Sequence, residues 1–176
     1  VPVAIRQEDA RYVTLKRDGA VAYAHAVAGR FDEADAVAKA LIDLGEATSS
    51  TRARSLGYGV ASMASYLRGS EAAAIANAQR AIAVANEPIY REFSRFILAN
   101  IFAGFGRVEP AVVTVNACRQ FAGTSGASLW EAMLEPPEAV VQLLTGQLSQ
   151  GIARLVDAAK GTGLAARTAE VYLAVT

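Results

Sequence analysis

From Ala28 to Gly45 the chain reads AGRFDEADAVAKALIDLG. A glycine turn opens it, and small and apolar residues then recur at helical spacing. A similar pattern returns as LRGSEAAAIANAQRAIAVA between Leu67 and Ala85. Searching for a fixed period brings out two further copies, so that turn glycines stand at Gly29, Gly69, Gly106 and Gly146. Five residues after each comes a small residue: Ala34, Ala74, Ala111 and Gly151. Seven further on comes a residue suited to helix packing: Leu41, Ala81, Cys118 and Ala158. The pattern describes a helical hairpin. A first helix ends at a glycine able to take the left-handed conformation, and a second helix begins at once.

First helices are predicted at about 8–28, 50–68, 88–104 and 127–145, and second helices at about 32–46, 71–86, 108–122 and 148–160. A ninth helix begins near Leu164. Asp32, Ser70 and Ser149 stand where an N-cap oxygen is wanted, and Pro110 falls in a first turn, where its missing N–H costs nothing. Pro136–Pro137 should break or kink the fourth first helix, because each ring removes a donor and clashes with the preceding turn. The glycines of LGYGVASMASYL predict close helix contact rather than a dinucleotide fingerprint.

Composition narrows the class. Lys plus Arg equals Asp plus Glu at 17 each, which leaves no field to gather nucleic acid or anionic lipid. Aromatics are only 7% and the chain is rich in alanine, a helical balance rather than that of a sandwich or barrel. The single cysteine excludes an internal disulfide framework. No apolar run reaches the roughly 18 residues of a membrane span and no leader pattern opens the chain, so it reads as soluble and cytoplasmic.

Gly29, Phe31, Ala34, Ala38 and Leu41 resemble the glycine, aromatic and small-residue signature of a tetratricopeptide repeat. Gly69 with Ala74, Ala78 and Ala81, and Gly106 with Ala111, Val115 and Cys118, are similar. The resemblance covers nearly the whole chain, 1–176, read as one repeat domain cut from a longer protein. It departs from the family in a period of 37 to 40 residues rather than 34 and in lacking the Trp, Leu and Gly of the first helix. The proline that ends each repeat survives clearly only at Pro88. Long, degenerate repeats of this texture resemble those at the C-terminal end of bacterial adenylate or guanylate cyclases and of multidomain signalling ATPases. The resemblance implies an all-α, right-handed α-solenoid of about four hairpins plus a partial fifth, whose first helices line an inner groove.

Candidate chemistry is sparse. His25, the only histidine, has no Cys, Asp or Glu in ligand register and is assigned to packing or hydrogen bonding. Cys118 sits at a small-residue packing position, with no base to activate it. Asp32, Glu33 and Asp35 lack the alternating rhythm of a calcium loop and suit the start of a helix. KGTGLAAR at 160–167 lacks the ending of a phosphate loop. No catalytic set, cofactor site or metal site is expected.

Under the tetratricopeptide register the groove carries Tyr23, Met63, Tyr66, Phe93, Phe96 and Asn100, a surface suited to adaptable binding of a peptide or a neighbouring domain. Apolar residues at this spacing equally fit an inter-repeat core. The chain thus reads as a noncatalytic protein-interaction or regulatory module of a bacterial signalling protein, the alternative being a freestanding peptide-binding adaptor or chaperone-like protein. The ninth helix carries Leu164, Val171, Tyr172, Leu173 and Val175 with no covering helix after it, which predicts a homodimer through the C-terminal end.

Overall fold

A computed structural model describes residues 7–125, 128–161 and 164–174. They form nine helices and no strand: α1 (Gln7–Val27), α2 (Phe31–Ala47), α3 (Thr51–Leu67), α4 (Glu71–Val84), α5 (Pro88–Gly104), α6 (Val108–Ser125), α7 (Ser128–Leu144), α8 (Leu148–Ala159) and α9 (Leu164–Leu173). The all-α class and the helix limits agree with the periodic reading to within a few residues. Contacts divide the chain into two compact units, Val1–Ser94 and Arg95–Thr176, with the boundary inside α5.

Gly29, Gly69, Gly106 and Gly146 all have positive φ, between 68° and 86°. At each, the glycine N–H bonds three residues back, as from Gly29 to Ala26 O at 3.0 Å, and the next N–H bonds five back, as from Arg30 to His25 O at 2.9 Å. Ser70, Arg107 and Gln147 repeat the second bond, each at 2.8 Å. This is the Schellman closure, which satisfies carbonyls left over at a helix end. The residue that closes the first helix also opens the second, since Ala34, Ala74, Ala111 and Gly151 donate to the carbonyls of Arg30, Ser70, Arg107 and Gln147.

That double use corrects the expected caps. The residue before α2 is Arg30 and the one before α8 is Gln147, so Asp32 and Ser149 fall inside the first turn. Ser70 does precede α4, but its side chain makes no capping bond. With the backbone committed to the turn, the side chain is not needed. A side-chain cap does form at Ser50, whose Oγ accepts from Ala53 N at 3.3 Å in a junction without such a glycine.

In the first unit α2 packs on α1 and α3, α3 packs on α4, and α1 touches α3 directly. Small residues set the spacing. Ala34, Ala38, Ala74, Ala78 and Ala81 are buried, and a Cβ added to Gly57 would stand 2.7 Å from Ala38 O. At that closeness the hydroxyls of α3 reach the backbone of α4: Ser62 Oγ donates to Ala74 O at 2.8 Å and Ser55 Oγ to Ala81 O at 3.1 Å.

In the second unit α7 packs on α6, α8 and α9, and α8 on α9. Ala111, Ala139, Val140, Leu155, Ala169 and Tyr172 share one cluster. The expected break at Pro136–Pro137 does not occur, because α7 runs unbroken from Ser128 to Leu144 with both rings fully buried. Burial of the two rings offsets the lost donors. The apolar face of α9 is likewise covered. Tyr172 is buried and its hydroxyl donates to Asn100 O at 2.9 Å. Its neighbours Leu164, Val171 and Val175 lie outside the described residues or side chains. Of the residues expected to carry a dimer, Tyr172 is therefore interior, because α9 folds back on α7 and α8.

Three glycines test this packing. Gly123 lies in α6 with nothing within 4 Å of an added Cβ, so Gly123→Ala should stabilise by about 0.5–1 kcal/mol. Gly69→Ala meets no atom either but carries the positive φ, and should cost on the order of 1 kcal/mol. Gly57→Ala collides with backbone and should cost roughly 1–3 kcal/mol. Thermal melting of the three variants checks the order.

Candidate functional site

The six candidate groove residues fall into both units. In the first, α1 turns Ala22, Tyr23 and Ala26 into the interior. The Tyr23 ring meets Phe93 edge-on, with centroids 5.6 Å apart and planes at 85°. Its hydroxyl is buried without a hydrogen-bond partner, and burial pushes the phenol well above its ordinary range. Met63 is buried as well, while Tyr66 and Phe93 are half-buried.

In the second unit Phe96 is fully buried and stacks on Trp130, with centroids 5.2 Å apart and planes at 14°. Phe121 meets the same indole edge-on at 5.4 Å. Asn100 is half-buried, and its Nδ2 turns back to Phe96 O at 2.9 Å. Tyr23, Met63 and Phe96 thus offer no exposed surface. They are large side chains among alanines, and a first helix closely packed on its neighbours draws them inward. Tyr66, Phe93 and Asn100 keep part of their surface.

The polar groups that could carry chemistry are occupied structurally. His25 Nδ1 accepts from Arg30 Nε at 2.8 Å, a bond across the first turn. Asp35 pairs with Arg68 at 2.6 Å, and the same guanidinium lies 4.9 Å from the centre of the Phe31 ring. The acids at the start of α2 therefore tie that helix to the end of α3 rather than frame a cation site. Cys118 is buried. Among the described residues no group of three or more His, Cys, Asp or Glu could hold a metal ion. No helix among them is long and apolar enough to cross a membrane. In KGTG, Lys160 and Gly161 follow α8, and 162–163 lie outside the described residues.

The densest electrostatic feature was not visible from sequence. Glu138 on α7 is nearly buried and receives Arg119 of α6 at 2.6 Å on one oxygen and Arg154 of α8 at 2.8 Å on the other. Arg154 also binds Glu135 at 2.8 Å. Three helices meet at one carboxylate. The only sequence signal was a Glu in an otherwise apolar stretch after the prolines. No protein-family model matches the chain, and no curated protein or solved structure matches it significantly.

Two predictions follow from these buried groups. Tyr23→Phe removes a hydroxyl that lacks a partner, so near neutral pH it should leave stability unchanged or raise it by up to about 1 kcal/mol. The native state holds the Tyr23 proton after the unfolded state has lost it, so the wild type loses stability as pH rises above about 10. Urea melts at pH 8 and pH 11 should show a smaller alkaline loss for Tyr23→Phe. Glu138→Ala should cost roughly 2 kcal/mol, discounted from a fully buried pair because Arg119 is largely exposed. Glu135→Ala should cost under about 1 kcal/mol by the same melts.

Proposed function

We propose that the chain is a noncatalytic protein-interaction module of tetratricopeptide-like hairpins, stacked as a right-handed α-solenoid and serving as the regulatory repeat region of a bacterial signalling protein. The observation that carries this reading is the fourfold turn. The same backbone closure at Gly29, Gly69, Gly106 and Gly146 is followed each time by a buried small residue at the fifth position. Repeated units that cannot bury their faces alone are the hallmark of binding scaffolds. The absence of a catalytic role is supported by the occupied state of His25, Asp35 and Glu138. The parent, an adenylate or guanylate cyclase or a regulatory ATPase, rests on the resemblance of the long-period repeats. Its partner is a protein, a peptide or another domain of the parent. The contact candidates are Tyr66 and Phe93 in the first unit and, separately, Asn100 in the second, since these keep part of their surface.

The reading frame of the parent gene and an assay of the isolated segment test this together. A cyclase or nucleotide-binding domain in the same frame supports the signalling role. A frame holding the repeats alone replaces it with the freestanding adaptor. Turnover of ATP or GTP by the purified segment would overturn the noncatalytic assignment, and none above background is expected.

A further inference from the structure

Arg54 on the first turn of α3 is half-buried, and among the described residues no acid pairs with it. Its Nε is sealed from water and has no hydrogen-bond partner. Other half-buried arginines are engaged, Arg91 with Ala85 O at 3.1 Å and Arg154 with Glu135 and Glu138. The stem of Arg54 is held in a groove that Gly45 of α2 leaves open. A Cβ added to this buried glycine would stand 2.5 Å from Arg54 Cγ, 2.7 Å from Arg54 N and 2.9 Å from Ser50 O. An arginine that merely lays its methylenes on an open surface needs no such groove. With Nε sealed and the residue half-buried, the fork opens to the surface at its terminal nitrogens.

Helical side chains lean toward the N-terminus of their helix, which brings this guanidinium to the positive end of the α3 dipole. Burial and the dipole both oppose an unpaired cation there. The neighbouring Arg52 is tied to Glu87. What the position lacks is an acceptor carrying negative charge. We infer that Arg54, at the start of α3, is the centre of an oxyanion site that takes a phosphate group, free or carried by a partner. A planar guanidinium offers parallel N–H donors to two oxygens of one phosphate. A small rotation of the fork lets Nε share the ligand, which satisfies the polar atom that burial leaves without a partner. A phosphate dianion also answers the dipole more fully than a single carboxylate. Thr48 and Ser49 before the helix are both exposed and leave the approach open. The site is independent of the contact candidates Tyr66, Phe93 and Asn100.

Titration with inorganic phosphate at constant ionic strength, followed through the amide resonances, tests the site. Amides of 49–54 should shift together and saturate. Arg54→Met and Arg54→Lys should each weaken binding by at least about tenfold, the second because an ammonium lacks the fork. Arg80→Met, at an exposed arginine of α4, should leave binding unchanged. In chloride Arg54→Met should melt no lower than the wild type, since it keeps the stem and removes an unpaired cation. A phosphoserine peptide that binds more tightly than inorganic phosphate identifies a partner-borne group, and equal affinity identifies the free ion. The absence of saturable shifts overturns the inference, as does binding indifferent to both changes at Arg54 or lost in Arg80→Met. Melting of Arg54→Met well below the wild type in chloride overturns it equally, because the guanidinium would then be serving the fold alone.

Discussion

The four hairpins of the fold depend on one backbone constraint, the left-handed glycine that ends a first helix. Its positive φ lets two successive N–H groups turn back onto carbonyls of the helix just finished. The carbonyl of the residue after it then accepts the first bond of the next helix, four residues on. One residue outside both helices thus bonds to each of them, which ties the second helix closely to the end of the first. Because the bond ends on Ala34, Ala74, Ala111 or Gly151, that position lies one turn into the second helix on the side facing back. A large side chain there would hold the helices apart. Each of the four residues is small and buried.

Close approach has consequences for polar groups. Alanine interfaces bring helix backbones near enough for the serines of α3 to bond carbonyls of α4 directly, so buried hydroxyls are satisfied without a side-chain network. Alanine also buries little apolar surface per residue. The second unit compensates differently, with the Phe96–Trp130–Phe121 cluster and with Glu138 between two guanidiniums. A buried carboxylate of this kind is costly unless both oxygens are bonded, and both are. It also accompanies the two prolines that precede it, in a helix short of backbone donors.

What could be read from the chain followed how local each cause is. The glycine turns, the helix limits and the close contact at Gly57 depend on residues within a few positions, and they were legible. The N-caps were not, because Asp32, Ser70 and Ser149 satisfy the side-chain preference while the backbone turn already fills the role. The burial of Tyr23, Met63 and Phe96 was not legible. Helical spacing identifies a stripe of large residues but not which neighbour covers it, so Tyr23, Met63 and Phe96 read the same whether they face solvent or core. Tyr172 fails for a related reason, since its cover comes from helices that precede it and not from one that follows. Glu138 depends on Arg119 and Arg154, 19 and 16 residues away along the chain. No local pattern announces such a triad.

The polar groups that could carry chemistry are engaged within the chain. A general base needs a nitrogen or carboxylate aimed at a substrate, yet His25 accepts from Arg30 and Asp35 holds Arg68. A thiolate nucleophile needs access and a cationic neighbour that lowers its pKa, and the Cys118 thiol stands buried at a helix crossing. The chain spends these groups on holding helices together. The same turn precedes four second helices, so their residues can be compared position by position from the glycine. Lys39, Gln79 and Asn116 meet water in the ordinary way. Val156 meets it with 40% of its surface, in line with Leu148 and Ile152. Apolar exposure of this kind recurs at Val13, Val113 and Leu144, so it belongs to the ordinary surface of an alanine-rich helical chain.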